Sequence, residues 1–382
     1  MGKAMNRIIV SLYIVTLFSF LVFSYAFVDY NFFYLKNFYT GFSLDHRGIT
    51  TIIYVLLISS SFGFYFLFIT LVRQNKLHFK HLKQLIGISL MILFLSYPAM
   101  LSYDIFNYTT TAKVIFSYKE NPYIVMPIEF PGDSSLLYTR AANKIALYGP
   151  IWIISSGIPY ILGFGNFLIT LLNFKILVAL FYLGSVYFIW KISKNIVSVA
   201  IFALNPLVLI ETLVSNHNDV VMMFLAVFSF YLLTKRKIAL AVIVLILSAL
   251  VKYSTLFLIP VFIYVVFKII RGKQVNWEKV FTSCILFMGV IFILSAFREE
   301  IYPWYAIWFL TFAAFIPRNK FILYTSIAFS FSLLLRYIPV IYTGSYTGYT
   351  PLFKTLATFI PPFIVFIYLF AKNKIWEKLF IR

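Results

Sequence analysis

The chain has 382 residues, of which 62% are hydrophobic and 12% charged, and its formal net charge is +20. Soluble domains carry about 25% charged residues, so this composition excludes a soluble globular protein and predicts an integral membrane protein. The positive charge would suggest a nucleic-acid partner in a soluble protein, but here the basic residues lie in short loops between apolar runs, so membrane topology explains them and we expect no nucleic acid.

The first apolar segment, 7–27, follows a basic start and is longer than the apolar core of a cleaved signal, so we interpret it as an uncleaved first helix. The other candidate spans are 51–72, 84–101, 166–190, 196–214, 218–234, 238–251, 254–268, 280–297, 303–317, 321–340 and 352–371. A further run, 150–164, is too short at about 1.5 Å per residue to cross a core of about 30 Å, and it is predicted to be re-entrant or interfacial. The sequence therefore predicts an all-α polytopic transmembrane bundle of about twelve spans.

The lysines and arginines orient these spans. With both termini inside, twenty-one basic residues fall in the inner segments and seven in the outer ones, as expected for cytoplasmic loops. We predict one membrane domain, 1–382, with N-terminal spans in 1–102, an external catalytic loop at 103–149, and the remaining spans and short re-entrant helices in 150–382. The external loop mixes apolar and polar residues in a way that suits interfacial helices.

Polar residues with reactive side chains collect in the segments predicted to lie outside. They are Asp104, Asn121, Tyr123, Tyr148, His217, Asp219, Lys252, Arg298, Trp304 and Tyr305. Local explanations exist for each group: Asp104 could solvate a helix end, the Asn-Pro and Gly-Pro pairs could be simple turns, the aromatic residues could form an interfacial belt, and His217 and Asp219 could fill a short polar loop. Lys252 lies between two apolar runs and needs an anionic partner or ligand.

Together these residues fit an enzyme that uses a lipid-phosphate-linked sugar. Such an enzyme needs a base for the acceptor hydroxyl, and Asp104 is the candidate. It also needs positive charge for the departing phosphate, from Lys252 with Arg298 or from a metal, and aromatic faces for sugar rings, from Tyr148, Trp304 and Tyr305. Whether a divalent metal takes part stays open, and its candidate ligands are Asp104, His217 and Asp219.

The motifs occur in the order SYDIFNY, NPY, YGPIW, NPLVLIE, NHND, a lone lysine and YPWY, between about residues 100 and 310. This order resembles the C-type superfamily of polytopic membrane glycosyltransferases, and most closely its branch that uses polyprenyl-phosphate-mannose. The matching positions are Asp104, Asn121–Tyr123, Tyr148–Pro150, His217–Asp219, Lys252 and Tyr302–Tyr305. Two features depart from that family: more spans precede the loop, and no second acidic residue flanks Asp104.

The resemblance implies inverting transfer of a hexose, mannose in particular, from a polyprenyl-phosphate-linked donor to a glycan, lipid or protein hydroxyl. It also implies a prokaryotic plasma membrane, contact with membrane lipid, an active site facing outside, and the loop aspartate as general base. Two other interpretations are a transporter or lipid-linked sugar flippase, with Lys175, Lys252, Arg336 and Lys354 along a path, and a membrane scaffold without activity.

Overall fold

The computed structural model describes residues 3–298 and 300–372, with side chains for 7–297 and 300–372. This part of the chain is helical and contains no β-strand, which confirms the predicted all-α fold. Its α-helices are α1 Lys3–Ser24, α2 Phe42–Asp45, α3 Arg47–Arg73, α4 Phe79–Phe94, α5 Asp104–Phe116, α6 Pro150–Ile161, α7 Phe167–Ser193, α8 Ile196–Ala203, α9 Pro206–Leu209, α10 Asp219–Thr234, α11 Ile238–Val251, α12 Ile259–Ile270, α13 Trp277–Arg298, α14 Ala306–Ala313, α15 Lys320–Leu335, α16 Ile338–Thr343 and α17 Thr350–Lys372.

Turns of 3₁₀ and π type lie between these α-helices. The 3₁₀ turns are Tyr25–Phe27, Phe33–Phe38, Pro127–Glu129, Ser134–Leu137, Tyr253–Leu258 and Pro303–Tyr305, and one π-helical turn covers Ile210–Val214. π-helical turns are rare in proteins, but those that occur are often found at functional sites.

Seven helices in the described part of the chain are long and apolar enough to cross a membrane, or eight if one bent pair counts as a single span. The predicted count of about twelve spans is therefore not confirmed. The difference lies in apolar segments that form short helices, such as α10 with 16 residues and α11 with 14. An apolar run predicts burial, but a short helix can bury its apolar residues against other helices without spanning the bilayer.

The bent pair joins α8 to α9 and the π turn at an angle of 56°. The break lies at Asn205-Pro206, because proline cannot continue the preceding helix. Backbone N–H groups freed at such a break need partners in an apolar environment. The Asn205 side-chain oxygen accepts hydrogen bonds from the N–H groups of Leu207 and Val208, at 3.0 and 3.4 Å. The start of the next helix is thereby fixed, and the π turn follows it directly.

The segment predicted as an external loop, 103–149, begins with α5 and continues through two 3₁₀ turns. Residues 105–110 of α5 are buried on all sides, so this end of the helix lies within the protein and not on a lipid surface. Lys113 donates a hydrogen bond of 2.7 Å to Asp133, which also accepts one from the Tyr118 hydroxyl. These bonds tie the helix to the rest of the loop, and they lower the pKa of Asp133 although partial burial acts in the opposite direction.

The loop ends against the end of α11. The Gly149 N–H donates to the Val251 carbonyl oxygen at 3.1 Å, and its Cα faces the Leu250 carbonyl so closely that a Cβ would lie 2.1 Å from that oxygen. Lys252 directly follows Val251 in the chain. The close approach of two backbones at Gly149 thus brings the loop beside Lys252.

Candidate active site

Asp104 occupies the first turn of α5, where the helix dipole favours a carboxylate. Its Oδ1 atom accepts a hydrogen bond from the Asn107 amide at 3.3 Å, and the Asn107 oxygen in turn accepts from the N–H of Ala141. The side chain of Asp104 is 23% exposed, so one edge of this otherwise anchored carboxylate is open to an approaching molecule.

His217 lies beneath Asp104 in the NHND segment and is fully buried. The π turn leads into this segment, and Asn216 adopts a left-handed backbone conformation (φ 62°) that asparagine tolerates better than most residues. The imidazole Nδ1 lies 3.5 Å from Asp104 Oδ2, and Nε2 lies 3.3 Å from Glu211 Oε2. Burial lowers the pKa of His217, but the two carboxylates outweigh it and raise the pKa to about 9.

No role for Glu211 follows from the sequence alone, although it ends the NPLVLIE segment. It lies on the π turn, is fully buried, and accepts a hydrogen bond from the Tyr337 hydroxyl at 3.0 Å. A lone carboxylate inside an apolar run is a signal of function in a membrane protein, and that signal could have identified it.

An aromatic surface continues from His217. The Trp304 indole stacks on the imidazole with ring centroids 3.7 Å apart, and the Tyr302 ring stacks on Trp304 at 4.6 Å. Both faces of the Trp304 ring are thus covered by protein. The Tyr305 ring packs on Trp308, and the Lys252 ammonium lies 4.6 Å from the centroid of the Tyr305 ring. The rings predicted to stack on sugar thus contact protein groups in this structure, and Trp304 supports His217.

Lys252 has the anionic partner that its position required. Its ammonium donates to both carboxylate oxygens of Asp219, at 3.0 and 3.1 Å. Asp219 is fully buried and also accepts a short hydrogen bond of 2.6 Å from the Trp308 indole. Because Asp219 neutralises Lys252, this lysine contributes less free positive charge than the sequence predicts.

The remaining predicted residues lie around this centre. Tyr148 is buried and packs edge-on against Tyr108, whose hydroxyl accepts from the Asn218 N–H. The Tyr123 hydroxyl donates to the Tyr148 carbonyl oxygen at 2.9 Å, and the exposed Asn121 accepts from the Tyr123 N–H. These two residues support the loop and do not contact Asp104 or His217. The side chain of Arg298 lies outside the described residues.

A second charged cluster, which the sequence does not reveal, consists of Glu300, Arg336 and Lys354. Arg336 and Lys354 contact the same Glu300 oxygen, at 3.1 and 2.6 Å, and are 8% and 10% exposed. Two cations share one carboxylate, so the cluster carries a surplus positive charge. Tyr337, which follows Arg336 in the chain, connects the cluster to Glu211.

The predicted metal ligands do not converge. Asp104 and Glu211 lie on opposite edges of the His217 ring, while Asp219 is bonded to Lys252 and Trp308. Within residues 7–297 and 300–372 no three histidine, cysteine or acidic side chains are placed to hold one ion. The residues that could line a transport path also have local partners, since Lys175 donates to the Ser96 carbonyl oxygen at 2.6 Å. The one cysteine, Cys284, is buried.

Comparison with known families gives one match. Residues 34–268, more than half of the chain, match the sequence model of the MptA_B family, described as alpha-(1->6)-mannopyranosyltransferase, N-terminal domain. The matched region contains Asp104, His217, Glu211, Asp219 and Lys252, whereas the Glu300–Arg336–Lys354 cluster lies beyond it. No curated protein and no solved structure matches the chain.

Proposed function

Because the chain belongs to the alpha-(1->6)-mannopyranosyltransferase family and is therefore a glycosyltransferase, we propose that it moves mannose from a polyprenyl-phosphate-linked donor to an acceptor hydroxyl, with inversion at the anomeric carbon. Asp104 is the general base in this proposal. The family supports a sugar donor and a glycan acceptor, and the polyprenyl phosphate carrier and the outward-facing site are further parts of this proposal.

The observation that carries the proposal is the open carboxylate of Asp104 above the buried His217. Of the three acidic side chains at this centre, Glu211 and Asp219 are fully buried, and Asp104 alone has an exposed edge. Asp104 can accept the proton of an acceptor hydroxyl as that oxygen attacks the sugar. General base catalysis of this kind contributes about 10²–10⁴-fold in rate.

The reaction then requires positive charge on the leaving side. The acceptor oxygen forms a bond to the anomeric carbon as the bond from that carbon to the phosphate oxygen breaks, and the electron pair leaves with the lipid phosphate. Fixed positive charge that is poised for a developing anion can supply several kcal/mol. The surplus charge of Arg336 and Lys354 is the best candidate for this role, since Asp219 already neutralises Lys252.

Membrane geometry supports a lipid-linked donor. A polyprenyl phosphate has its chain in the bilayer and its phosphate at the interface, so the site must be close to helix ends. Asp104 begins α5, and Lys252 follows the last residue of α11. We propose an outward-facing site, and the excess of basic residues in the segments assigned to the inside supports this orientation under the positive-inside rule.

The test is transfer by purified protein in lipid nanodiscs, with radiolabelled polyprenyl-phosphate-mannose and a mannosyl acceptor. Asp104→Asn keeps the size of the side chain and should reduce turnover by at least about 10²-fold. Asp45→Asn is the matched control, because Asp45 is an exposed carboxylate at the end of α2 and contacts none of these groups. Wild-type turnover by Asp104→Asn would rule out Asp104 as the base.

A further inference from the structure

Glu211 is a buried carboxylate to which the proposed reaction assigns no step. Its Oε1 atom accepts the Tyr337 hydrogen bond, whereas its Oε2 atom has no hydrogen-bond partner and lies 3.3 Å from the His217 Nε2 atom. A carboxylate is retained in a fully buried position only when a partner compensates its charge. Among the side chains that the structure describes, the imidazole of His217 is the cationic group placed against Oε2.

The three groups form a line: Asp104 Oδ2, then the two nitrogens of His217, then Glu211 Oε2. Trp304 covers one face of the imidazole and fixes the plane of the ring. Stacking leaves rotation within that plane free, so the two carboxylates must fix it. Glu211 holds one edge of the ring, and the opposite edge then faces Asp104.

We infer that Glu211 is a positioning residue, which orients His217 so that its Nδ1 atom holds the Asp104 carboxylate in place for the acceptor hydroxyl. This inference rests on the proposed function, because Glu211 would affect the reaction by positioning Asp104, the proposed base. Glu211 reaches neither the donor nor the acceptor, since it is fully enclosed below His217. Its contribution is the orientation of the ring, and Tyr337 in turn orients Glu211.

The decisive experiment observes His217 itself. The chain has four histidines, so replacing His46, His78 and His81 with glutamine leaves His217 as the one ¹⁵N-histidine signal in nanodiscs. We expect an imidazolium spectrum at pH 7.5 in this background. Glu211→Gln should convert it to that of a neutral ring. Asp133→Asn removes a buried carboxylate that pairs with Lys113 and does not contact His217, and it should leave the signal unchanged.

Kinetics then test whether the orientation matters. Glu211→Gln should lower kcat by about 10–100-fold and change the donor KM by less than about threefold, since about 1 Å of misplacement can cost 10²-fold. Glu211→Asp keeps the charge and should restore part of kcat. In a His217→Gln background, Glu211→Gln should have no further effect, because its action passes through His217.

The outcomes separate this inference from the proposed function. An unchanged His217 signal in Glu211→Gln would overturn the inference even if Asp104→Asn is inactive. A converted signal together with an active Asp104→Asn would keep the contact between Glu211 and His217 but overturn the proposed base and the positioning role that depends on it. If Glu211→Gln does not fold, Tyr337→Phe serves instead. It releases Oε1 and should broaden or shift the same signal, and an unchanged signal there would also overturn the inference.

Discussion

Gly149 joins the loop to the end of α11, and its replacement by alanine would test whether that junction controls the site. The added Cβ would lie 2.1 Å from the Leu250 carbonyl oxygen, 2.7 Å from the carbonyl carbon and 3.0 Å from the Val251 carbonyl oxygen. These are backbone atoms, so no side-chain rotation can relieve the contact. The backbone of Gly149 is extended (φ −70°, ψ 161°), a conformation that alanine adopts freely. The whole effect is therefore steric.

The magnitude follows from the required movement. An ordinary contact between carbon and carbonyl oxygen is about 3.3–3.6 Å, so the two segments must separate by more than about 1 Å. Overpacking of this kind costs about 1–3 kcal/mol, and loss of the Gly149 N–H bond to Val251 adds about 1 kcal/mol. We expect Gly149→Ala to lower the free energy of unfolding by about 2–4 kcal/mol. Because Lys252 follows Val251, the same shift should also reduce turnover by about 10-fold or more.

Thermal unfolding in one detergent, together with mannosyl transfer, measures both effects. Gly87→Ala is the matched control, since Gly87 lies in α4 and has nothing within 4 Å of its added Cβ. It should gain about 0.5–1 kcal/mol from helix propensity and keep full turnover. If Gly149→Ala behaves like Gly87→Ala in both measurements, the loop does not depend on this close approach.

Two further predictions concern pH and topology. The raised pKa of His217, about 9, stabilises the fold by about 3 kcal/mol relative to an ordinary value near 6.5. This stabilisation is complete below about pH 6.5 and is lost as the pH rises through 9. The melting temperature should therefore fall over that pH range, and it should fall less in His217→Gln. An equal dependence of melting temperature on pH in both proteins would contradict the prediction. For topology, cysteine replaces the exposed residues Asn143 and Gln74 in separate variants, and the buried Cys284 should not react. The cysteine at position 143 should react with an impermeant thiol reagent in intact cells, and the cysteine at position 74 only when the reagent reaches the cytoplasm. The reverse pattern would place the site in the cytoplasm.

The helical fold could be predicted because long apolar runs have few alternatives in a membrane protein. The number of spans could not. The run 196–214 contains the Asn205-Pro206 break, and the run 303–317 contains a 3₁₀ turn followed by the eight-residue α14. Hydropathy reports that a residue avoids water, whether the residue faces lipid or another helix. Helix length therefore depends on packing partners that a single segment does not reveal.

The candidate site was predictable to the extent that its residues lie at helix ends with a visible polar sequence. Asp104, His217, Asp219 and Lys252 belong to short polar segments, and the structure brings them into contact as two pairs, Asp104 with His217 and Asp219 with Lys252. Which residues pair could not be predicted, because the partners are far apart in sequence. The need of Lys252 for an anionic partner could be predicted, but the identity of that partner could not, because Asp219 lies 33 positions earlier in the chain.

The Glu300–Arg336–Lys354 cluster and the Asp104–His217–Glu211 contacts lie in different regions of the sequence. The region that matches the family model, 34–268, contains Asp104, the proposed base, together with the buried His217 and Glu211. The cations with surplus charge lie outside that region, Arg336 directly after α15 and Lys354 in α17. Tyr337 connects the two parts, because its hydroxyl donates a hydrogen bond to Glu211, which lies against His217. The proposed base and the cations proposed for the leaving phosphate thus lie in different parts of the chain, and the buried Glu211 contacts residues of both parts.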